Sequence, residues 1–240
     1  MANEGTPFQN LKRSNAVEEI IDTFKEALIE GELRPGQRLP SEAELVEQLG
    51  VGRGTIREAM KMLRALGVVR IQQGDGTYIA DTASSNLLNP LIFALLLEIG
   101  SGTEMVELRA LIEIGSYQLA ARKATPADWK RIEAAEQTYA AYAGNPERDI
   151  NQLTRLDLDF HLSLIEATHN QLISRIGHTV EEMFFASIRS TLANIDDLDQ
   201  IIKGHQEIVA AVRDGDRELI DRTVRKHLSF LGREVGAELL

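Results

Sequence analysis

The stretch SEAELVEQLGVGRGTIREAMKMLRAL, residues 41–66, predicts two helices joined by a tight turn. Ser41 with Glu44 three residues later forms a capping box, which starts a short helix that Gly50 ends. After a two-residue turn, a longer helix covers about 53–66, where apolar and basic residues recur at helical spacing. This pairing of a short capped helix with a longer one is typical of a helix-turn-helix.

The flanking sequence extends this pair into a larger predicted unit. Upstream, apolar residues over 17–28 follow a helical period, which predicts a further helix. Downstream, 68–71 and 77–79 are predicted to be two short strands around the hairpin tip Gly74-Asp75-Gly76. The order helix, helix, helix, hairpin predicts a winged helix-turn-helix.

The third predicted helix carries a cationic face. Arg53, Arg57, Lys61 and Arg64 are spaced 4, 4 and 3 residues apart, so they share one side of the helix. Such a face alone is typical of any solvated helix, but its order with the capped helix, the turn and the hairpin favours DNA binding. We expect Arg53 and Arg57 to contact guanines and the later basic residues to contact phosphates.

Three further residues are candidates for DNA contacts. Thr55, at the start of the third helix, has a hydroxyl that would hydrogen-bond a phosphate or a base. Gln73 and Gly74, at the hairpin tip, would lie at the minor groove or the flanking backbone. The hairpin is therefore predicted to act as the wing.

Three linked motifs resemble the GntR superfamily. They are G-x-L-x-P-G-x-x-L-P-S-E-x-x-L at 31–45, L-G-V-x-R-x-T-x-R-E-A-x-x-x-L at 49–63 and G-x-G-T-x-I at 74–79. The resemblance implies a DNA-binding transcriptional regulator whose contacts come from the start of the recognition helix and from the wing. These contacts are then expected at Arg53, Thr55, Arg57 and Gly74.

Composition excludes several classes of protein. The 240 residues include no cysteine, which excludes disulfide scaffolds and thiolate metal sites. The longest purely apolar run, Leu91–Leu97, is far shorter than the roughly 20 residues that cross a bilayer, so no membrane association is expected. The net charge of −11 argues against a protein that coats nucleic acid through its overall charge. Together these features predict a cytoplasmic protein.

The chain is predicted to be mainly α, with a winged helix-turn-helix at 9–80, a linker at 81–102 and an all-α bundle of six or seven helices at 103–240. The apolar run Leu91–Leu97 in the linker is expected to pack on the second domain or on a partner subunit. In the bundle, Thr125 caps one of the helices. Other bundle helices are predicted at about 104–122, 150–168, 171–193, 197–213 and 216–235.

Four residues of the predicted bundle have the chemistry of a metal site. Asp157 and His161 lie one helical turn apart, while His205 and His227 lie on two other helices. Helical bundles build metal sites from such convergent residues, and this ligand set suits one Zn²⁺, Ni²⁺ or Mn²⁺ per chain. A single helical histidine is nevertheless more often an ordinary residue, so spacing alone does not decide the matter.

The same region resembles the FCD domain of the FadR subfamily. The resemblance is carried by Asp157-x-x-Phe160-His161, Gly204-His205-x-x-Ile208 and His227-Leu228. It implies that the aspartate and the three histidines hold a metal, and that Arg109 pairs with the carboxylate of a small effector. The alternative for Arg109 is a solvated, salt-bridged arginine. Asn170 and Arg189 are further candidates for the effector pocket.

Together these patterns predict a regulator, not an enzyme: a homodimeric repressor on a palindromic operator, controlled by a small carboxylate. One alternative is a regulator that senses the metal itself. A less favoured one is a metal-dependent hydrolase, because the four predicted ligands would also activate water. Neither an H-E-x-x-H motif nor a P-loop occurs to support the hydrolase.

Overall fold

The computed structural model divides the chain into two units, Met1–Pro90 and Leu91–Leu240. The predicted linker, 81–102, falls largely outside the described residues, as does most of the apolar run Leu91–Leu97. Its expected packing therefore stays a prediction. The structure describes residues 15–81, 95, 97, 102–195 and 198–235.

The first unit contains three helices and a two-stranded hairpin, in the predicted order. Ser41 and Glu44 form the capping box at the second helix, and Gly50 ends that helix in the left-handed conformation. The third helix packs on the first two through a buried apolar face. The elements are α1 (Asn15–Ile29), α2 (Glu42–Leu49), α3 (Arg53–Ala65), β1 (Val69–Gln72) and β2 (Gly76–Ile79).

The hairpin of the first unit gains a third backbone segment. β1 and β2 pair antiparallel, with Val69 opposite Ile79. On the other side of β2, Leu39 N–H donates to Thr77 at 2.8 Å, and Ile79 N–H donates to Gln37 at 2.8 Å. The chain before α2 is therefore tied to the wing, whose strands are anchored in the core by buried Val69 and Ile79.

The second unit is a bundle of seven helices in its described residues, and its core is separate from that of the first unit. The third helix of this bundle is central and packs against the first, second, fourth and fifth. The helices are α4 (Gly102–Lys123), α5 (Pro126–Ala143), α6 (Ile150–Glu166), α7 (Gln171–Met183), α8 (Phe185–Asn194), α9 (Asp199–Asp214) and α10 (Arg217–Val235).

One helix predicted as continuous, 171–193, is interrupted at Phe184, so this prediction is wrong. Phe184 has a ψ of −5°, and its N–H bonds the carbonyl of Glu181, three residues back, instead of continuing the α-helical pattern. Its ring is buried beneath the Arg109 guanidinium, with Cζ 5.1 Å from the ring centroid. Tertiary packing of an aromatic ring thus accompanies a break that no Gly or Pro signals.

Among the described helices, none has an apolar stretch of the length needed to span a bilayer.

Candidate metal centre and nucleic-acid interface

Three histidines converge in the bundle core from three different helices. His161 on α6, His205 on α9 and His227 on α10 are all buried, and one ring nitrogen from each lies within 4.8 Å of the others. Their ring centroids are 4.9–5.2 Å apart. These separations are those of side chains that share one small ligand.

Asp157, in the preceding turn of α6, lies beside two of these histidines. Its Oδ1 lies 3.3 Å from Nε2 of His205, and its Oδ2 lies 3.9 Å from Nε2 of His161. The structure thus brings together the three histidines that were predicted as ligands and places Asp157, the fourth predicted ligand, beside two of them. A carboxylate facing three imidazoles is a donor set for a borderline divalent cation.

The helix packing at this site depends on Gly204. An added Cβ there would lie only 2.5 Å from Nδ1 of His227. The absence of a side chain lets the imidazole of α10 lie directly against the backbone of α9. The glycine before His205 is therefore part of the site's geometry.

Several nitrogens of these imidazoles are buried without a hydrogen-bond partner: Nε2 of His161, both nitrogens of His205 and Nδ1 of His227. Buried polar atoms in proteins are nearly always paired, because desolvation without a partner costs roughly 1–3 kcal/mol each. A bound cation would coordinate one nitrogen of each imidazole, so the residues present fit a metal.

Two of the three histidines are in the neutral state that a metal ligand requires. Burial lowers the pKa of His205 and lowers that of His227 further, so both are neutral at pH 7. At His161 burial also opposes the charge, but the carboxylate of Glu113 outweighs it and raises the pKa. A divalent ion would take the place of that proton.

His161 is oriented by two residues of α4. Tyr117 Oη lies 2.7 Å from Nδ1 of His161, and Glu113 Oε1 lies 3.4 Å from the same nitrogen. These contacts occupy Nδ1 and leave Nε2 on the side of Asp157. Partners of this kind fix the tautomer and the ring orientation of a metal ligand.

Arg109 lies one turn before Glu113 on α4 and is 1% exposed. Its Nε donates to Glu113 Oε1 at 2.6 Å, and its Nη2 lies 2.9 Å from Glu181 Oε2 on α7. Burial disfavours the charge of Arg109, but the two carboxylates outweigh it and raise its pKa. Arg109 is therefore salt-bridged, as in the alternative interpretation, but it is buried rather than solvated.

Buried carboxylates outnumber buried guanidinium groups around this site by three to one. Burial raises the pKa of Glu181 to about 8, whereas that of Asp157 is lowered: burial opposes its charge, but the histidines around it outweigh that effect. When His161 is neutral, as a metal ligand must be, Glu113 and Asp157 leave the cluster with an excess of negative charge over Arg109. A divalent cation would offset that excess.

The predicted DNA-binding face is exposed on α3. Arg53, Arg57, Lys61 and Arg64 lie on its outer side, while Ile56, Ala59, Met60 and Leu63 are buried on the other. Lys61 pairs with the exposed Glu58 at 2.7 Å. Partly buried Thr55 follows Gly54, whose added Cβ would meet no atom within 4 Å, so the first turn of α3 is open.

The wing is held in shape by Arg38. Its Nη2 donates to the carbonyl of Asp75 at 2.5 Å, and an added Cβ at Gly76 would lie 3.1 Å from its Nε. The side chains of Gln73 and Asp75 are exposed, and Gly74 has a φ of 81° at the tip. A positively charged side chain therefore supports the tip that was predicted to face DNA.

Two family profiles match the chain, one over each unit. The pattern of the bacterial regulatory proteins of the gntR family matches residues 16–79, and that of the FCD domain matches residues 104–230. The chain belongs to the GntR family. It is a DNA-binding transcriptional regulator that carries an FCD domain. The matched families and relatives are regulators rather than enzymes, so the hydrolase alternative is wrong.

Similar proteins extend over most of this GntR-family chain. The HTH-type transcriptional regulator LutR of Bacillus subtilis is 32% identical over 83% of this chain and 91% of its own. The Glc operon transcriptional activator of Escherichia coli is 29% identical over 90% and 87%. A solved structure of a Streptococcus agalactiae GntR protein aligns with a TM-score of 0.60 and 27% identity, over 90% and 99%.

Two predicted effector residues of the GntR-family protein do not join the histidine cluster. Asn170 caps α7, where its Oδ1 accepts hydrogen bonds from the N–H groups of Leu172 and Ile173. Arg189 is exposed on α8. The structure thus gives Asn170 a local capping role and leaves Arg189 on the surface.

Four contributors to these sites were not found from the sequence of this GntR-family chain: Arg38, Glu113, Tyr117 and Glu181. The spacing Arg109-x-x-x-Glu113-x-x-x-Tyr117 puts three polar side chains on one helix face. That face is otherwise apolar, which is a usable signal. Glu181 lies on another helix, and no local pattern connects it to Arg109.

Proposed function

We propose that this GntR-family regulator is a homodimeric repressor whose affinity for a palindromic operator is controlled by a small carboxylate effector at a divalent metal. The observation that supports this best is the buried group of three histidines with its unpaired nitrogens, beside which Asp157 lies. Burying these polar side chains without a ligand costs folding free energy, and a coordinated cation would offset that cost.

The proposed metal ligands are Asp157, His161, His205 and His227. The ion, Zn²⁺, Ni²⁺ or Mn²⁺, would supply a Lewis-acidic position for the effector carboxylate and would join α6, α9 and α10. Protein purified without chelator should hold about one ion per chain, measured by plasma mass spectrometry. Substituting both His205 and His227 with alanine should abolish that content, and an unchanged content would refute the site.

The proposed DNA interface is the first turn of α3 together with the wing. Arg53, Thr55 and Arg57 would reach base edges or phosphates, Lys61 and Arg64 would neutralise phosphates, and Gln73 and Gly74 would lie at the flanking groove. Because one winged helix offers few base contacts, a symmetric dimer would read the two half-sites. The proposed boundaries are 9–80 for this domain, 81–102 for the linker and 103–240 for the effector domain, in a cytoplasmic protein.

The interface is tested by Arg57→Ala. Removing a bidentate guanine contact costs roughly 1–3 kcal/mol, a loss of about 10- to 100-fold in operator affinity. The matched control is Arg225→Ala, which removes the same charge from the exposed surface of α10. Fluorescence anisotropy on labelled operator would measure both, and equal affinities for the two variants would overturn the assignment.

Effector binding is tested by a thermal-shift screen of small carboxylates, because a ligand that binds only the folded state raises the melting temperature. The proposed carboxylate subsite is the guanidinium of Arg109, beside the metal ligands. A repressor should release operator when the effector is added. Titrating metal into apo-protein separates the alternative, since in a metal-sensing regulator the ion alone would change operator affinity.

A further inference from the structure

The terminal nitrogens of Arg109 are incompletely paired. Nη1 and Nη2 are buried and neither makes a hydrogen bond, although Glu181 Oε2 lies 2.9 Å from Nη2. Both carboxylate oxygens of Glu181 are likewise buried without a hydrogen bond. Glu181 therefore lies against the guanidinium without satisfying its donors.

The other side of the guanidinium is fully used. Nε donates a hydrogen bond to Glu113 Oε1 at 2.6 Å, and the same oxygen lies 3.4 Å from Nδ1 of His161. This leaves the fork formed by Nη1 and Nη2, which matches the geometry of a carboxylate that accepts two parallel hydrogen bonds. A carboxylate aligned with both nitrogens would be a better partner than Glu181.

We propose that Glu181 is an internal competitor of the effector: it holds the terminal fork of Arg109 in the effector-free protein, and the effector carboxylate displaces it. The inference rests on the proposed function, because it assumes that a small carboxylate binds beside the metal ligands. In this proposal Glu181 sets the affinity for the effector, and its displacement is the means by which effector binding changes the structure.

The position of Glu181 gives the displacement a structural consequence. It lies in the last turn of α7, and its carbonyl accepts the N–H of Phe184, at the break before α8. The Phe184 ring also lies under the Arg109 guanidinium. Releasing Glu181 would therefore loosen the junction between α7 and α8, and an effector shifts an equilibrium only through such a difference between two states.

The test uses Glu181→Gln, which keeps the shape of the side chain and removes the carboxyl group. The matched control is Glu182→Gln, a neighbouring carboxylate that is exposed to solvent. Calorimetry on the full-length, zinc-loaded protein would measure the affinity for acetate and glycolate, the simplest carboxylates without and with a 2-hydroxyl. We expect at least ten-fold tighter binding in Glu181→Gln and unchanged binding in Glu182→Gln.

A second variant and a second readout guard against a folding artefact. Glu181→Asp withdraws the carboxylate by one methylene and should bind the probes with intermediate affinity. Amide hydrogen exchange in α7 should increase on adding glycolate to the unsubstituted protein, and it should already be higher in Glu181→Gln without ligand.

The outcomes separate this inference from the proposed function. If the unsubstituted protein binds the probes and Glu181→Gln binds them equally or more weakly, the competitor role is wrong and the carboxylate site stands. If neither protein binds either probe, both fail. Tighter binding in Glu182→Gln as well would indicate a general charge effect and would also overturn the inference.

Discussion

Gly204→Ala tests the metal centre through a residue that is not itself a ligand. The added methyl would lie 2.5 Å from Nδ1 of His227. Because non-bonded heavy atoms are comfortable at about 3.5 Å, one of the two groups must move by about 1 Å. The methyl is fixed to the backbone of α9, so the imidazole of α10 is the group that moves.

That displacement is large on the scale of a coordination bond. Metal–ligand distances in proteins hold within about 0.2 Å of their preferred values, so a shift of about 1 Å removes His227 from the ligand set. Disturbing an outer partner of a ligand already costs about 10- to 100-fold in metal affinity. We therefore expect Gly204→Ala to weaken binding by at least 100-fold.

Stability of the metal-free protein should change much less. The alanine gains up to about 1 kcal/mol of helix propensity, whereas overpacking a core costs about 1–3 kcal/mol. The matched control is Gly115→Ala on the exposed side of α4, where an added Cβ meets no atom within 4 Å. It should bind metal normally and be slightly more stable.

The assay is competition with a chromogenic chelator at pH 7, with circular dichroism of both variants to establish helix content. A Gly204→Ala protein that is folded and holds zinc as tightly as the Gly115→Ala control would refute the reasoning. It would mean that His227 is not a ligand, or that α9 and α10 separate without loss.

Three further predictions concern the wing, the second bundle helix and the metal. Arg38→Ala removes the support of the wing tip and should weaken operator binding about ten-fold, or by roughly 1.4 kcal/mol, in an anisotropy titration, with Arg38→Lys restoring only part of it. Burial opposes the charge of Asp128, but hydrogen bonds from Thr125, His169 and Arg131 outweigh it and lower its pKa. A carboxyl group whose pKa is lowered by folding stabilises the fold above its pKa in the unfolded chain, near 4, and this stabilisation is lost as the pH falls. Asp128→Asn should therefore lower the free energy of unfolding by about 2 kcal/mol at pH 7 and by less at pH 3, as measured by urea unfolding. Removing the metal with a chelator should lower the melting temperature, because an ion at 1,000 times its dissociation constant contributes about 4 kcal/mol; an unchanged thermal-shift curve would contradict the site.

Local chemistry made much of the fold predictable. The capping box of Ser41 and Glu44 and the left-handed Gly50 and Gly215 mark helix ends in the sequence and in the structure. The ends of these helices depend on hydrogen bonds between residues a few positions apart, so short sequence patterns predict them. The strands of the hairpin were predicted to within one residue for the same reason.

Features that depend on distant packing were not predictable. The break at Phe184 accompanies the packing of its ring beneath Arg109, which is 75 positions away in the numbering. The pairing of Arg109 with Glu181 likewise joins helices that no periodicity relates. At the candidate metal site, the four residue types could be proposed from spacing and resemblance, but their convergence required the fold.

The packing of α4 against α10 bears on how the protein is made. The first and last described helices of the bundle are neighbours, and α10 also supplies His227. While a ribosome is still translating α10, Asp157 and His161 have already emerged without their full set of partners. The winged unit, whose core is complete by Ile79, would therefore fold first, and the bundle would close only near the end of synthesis.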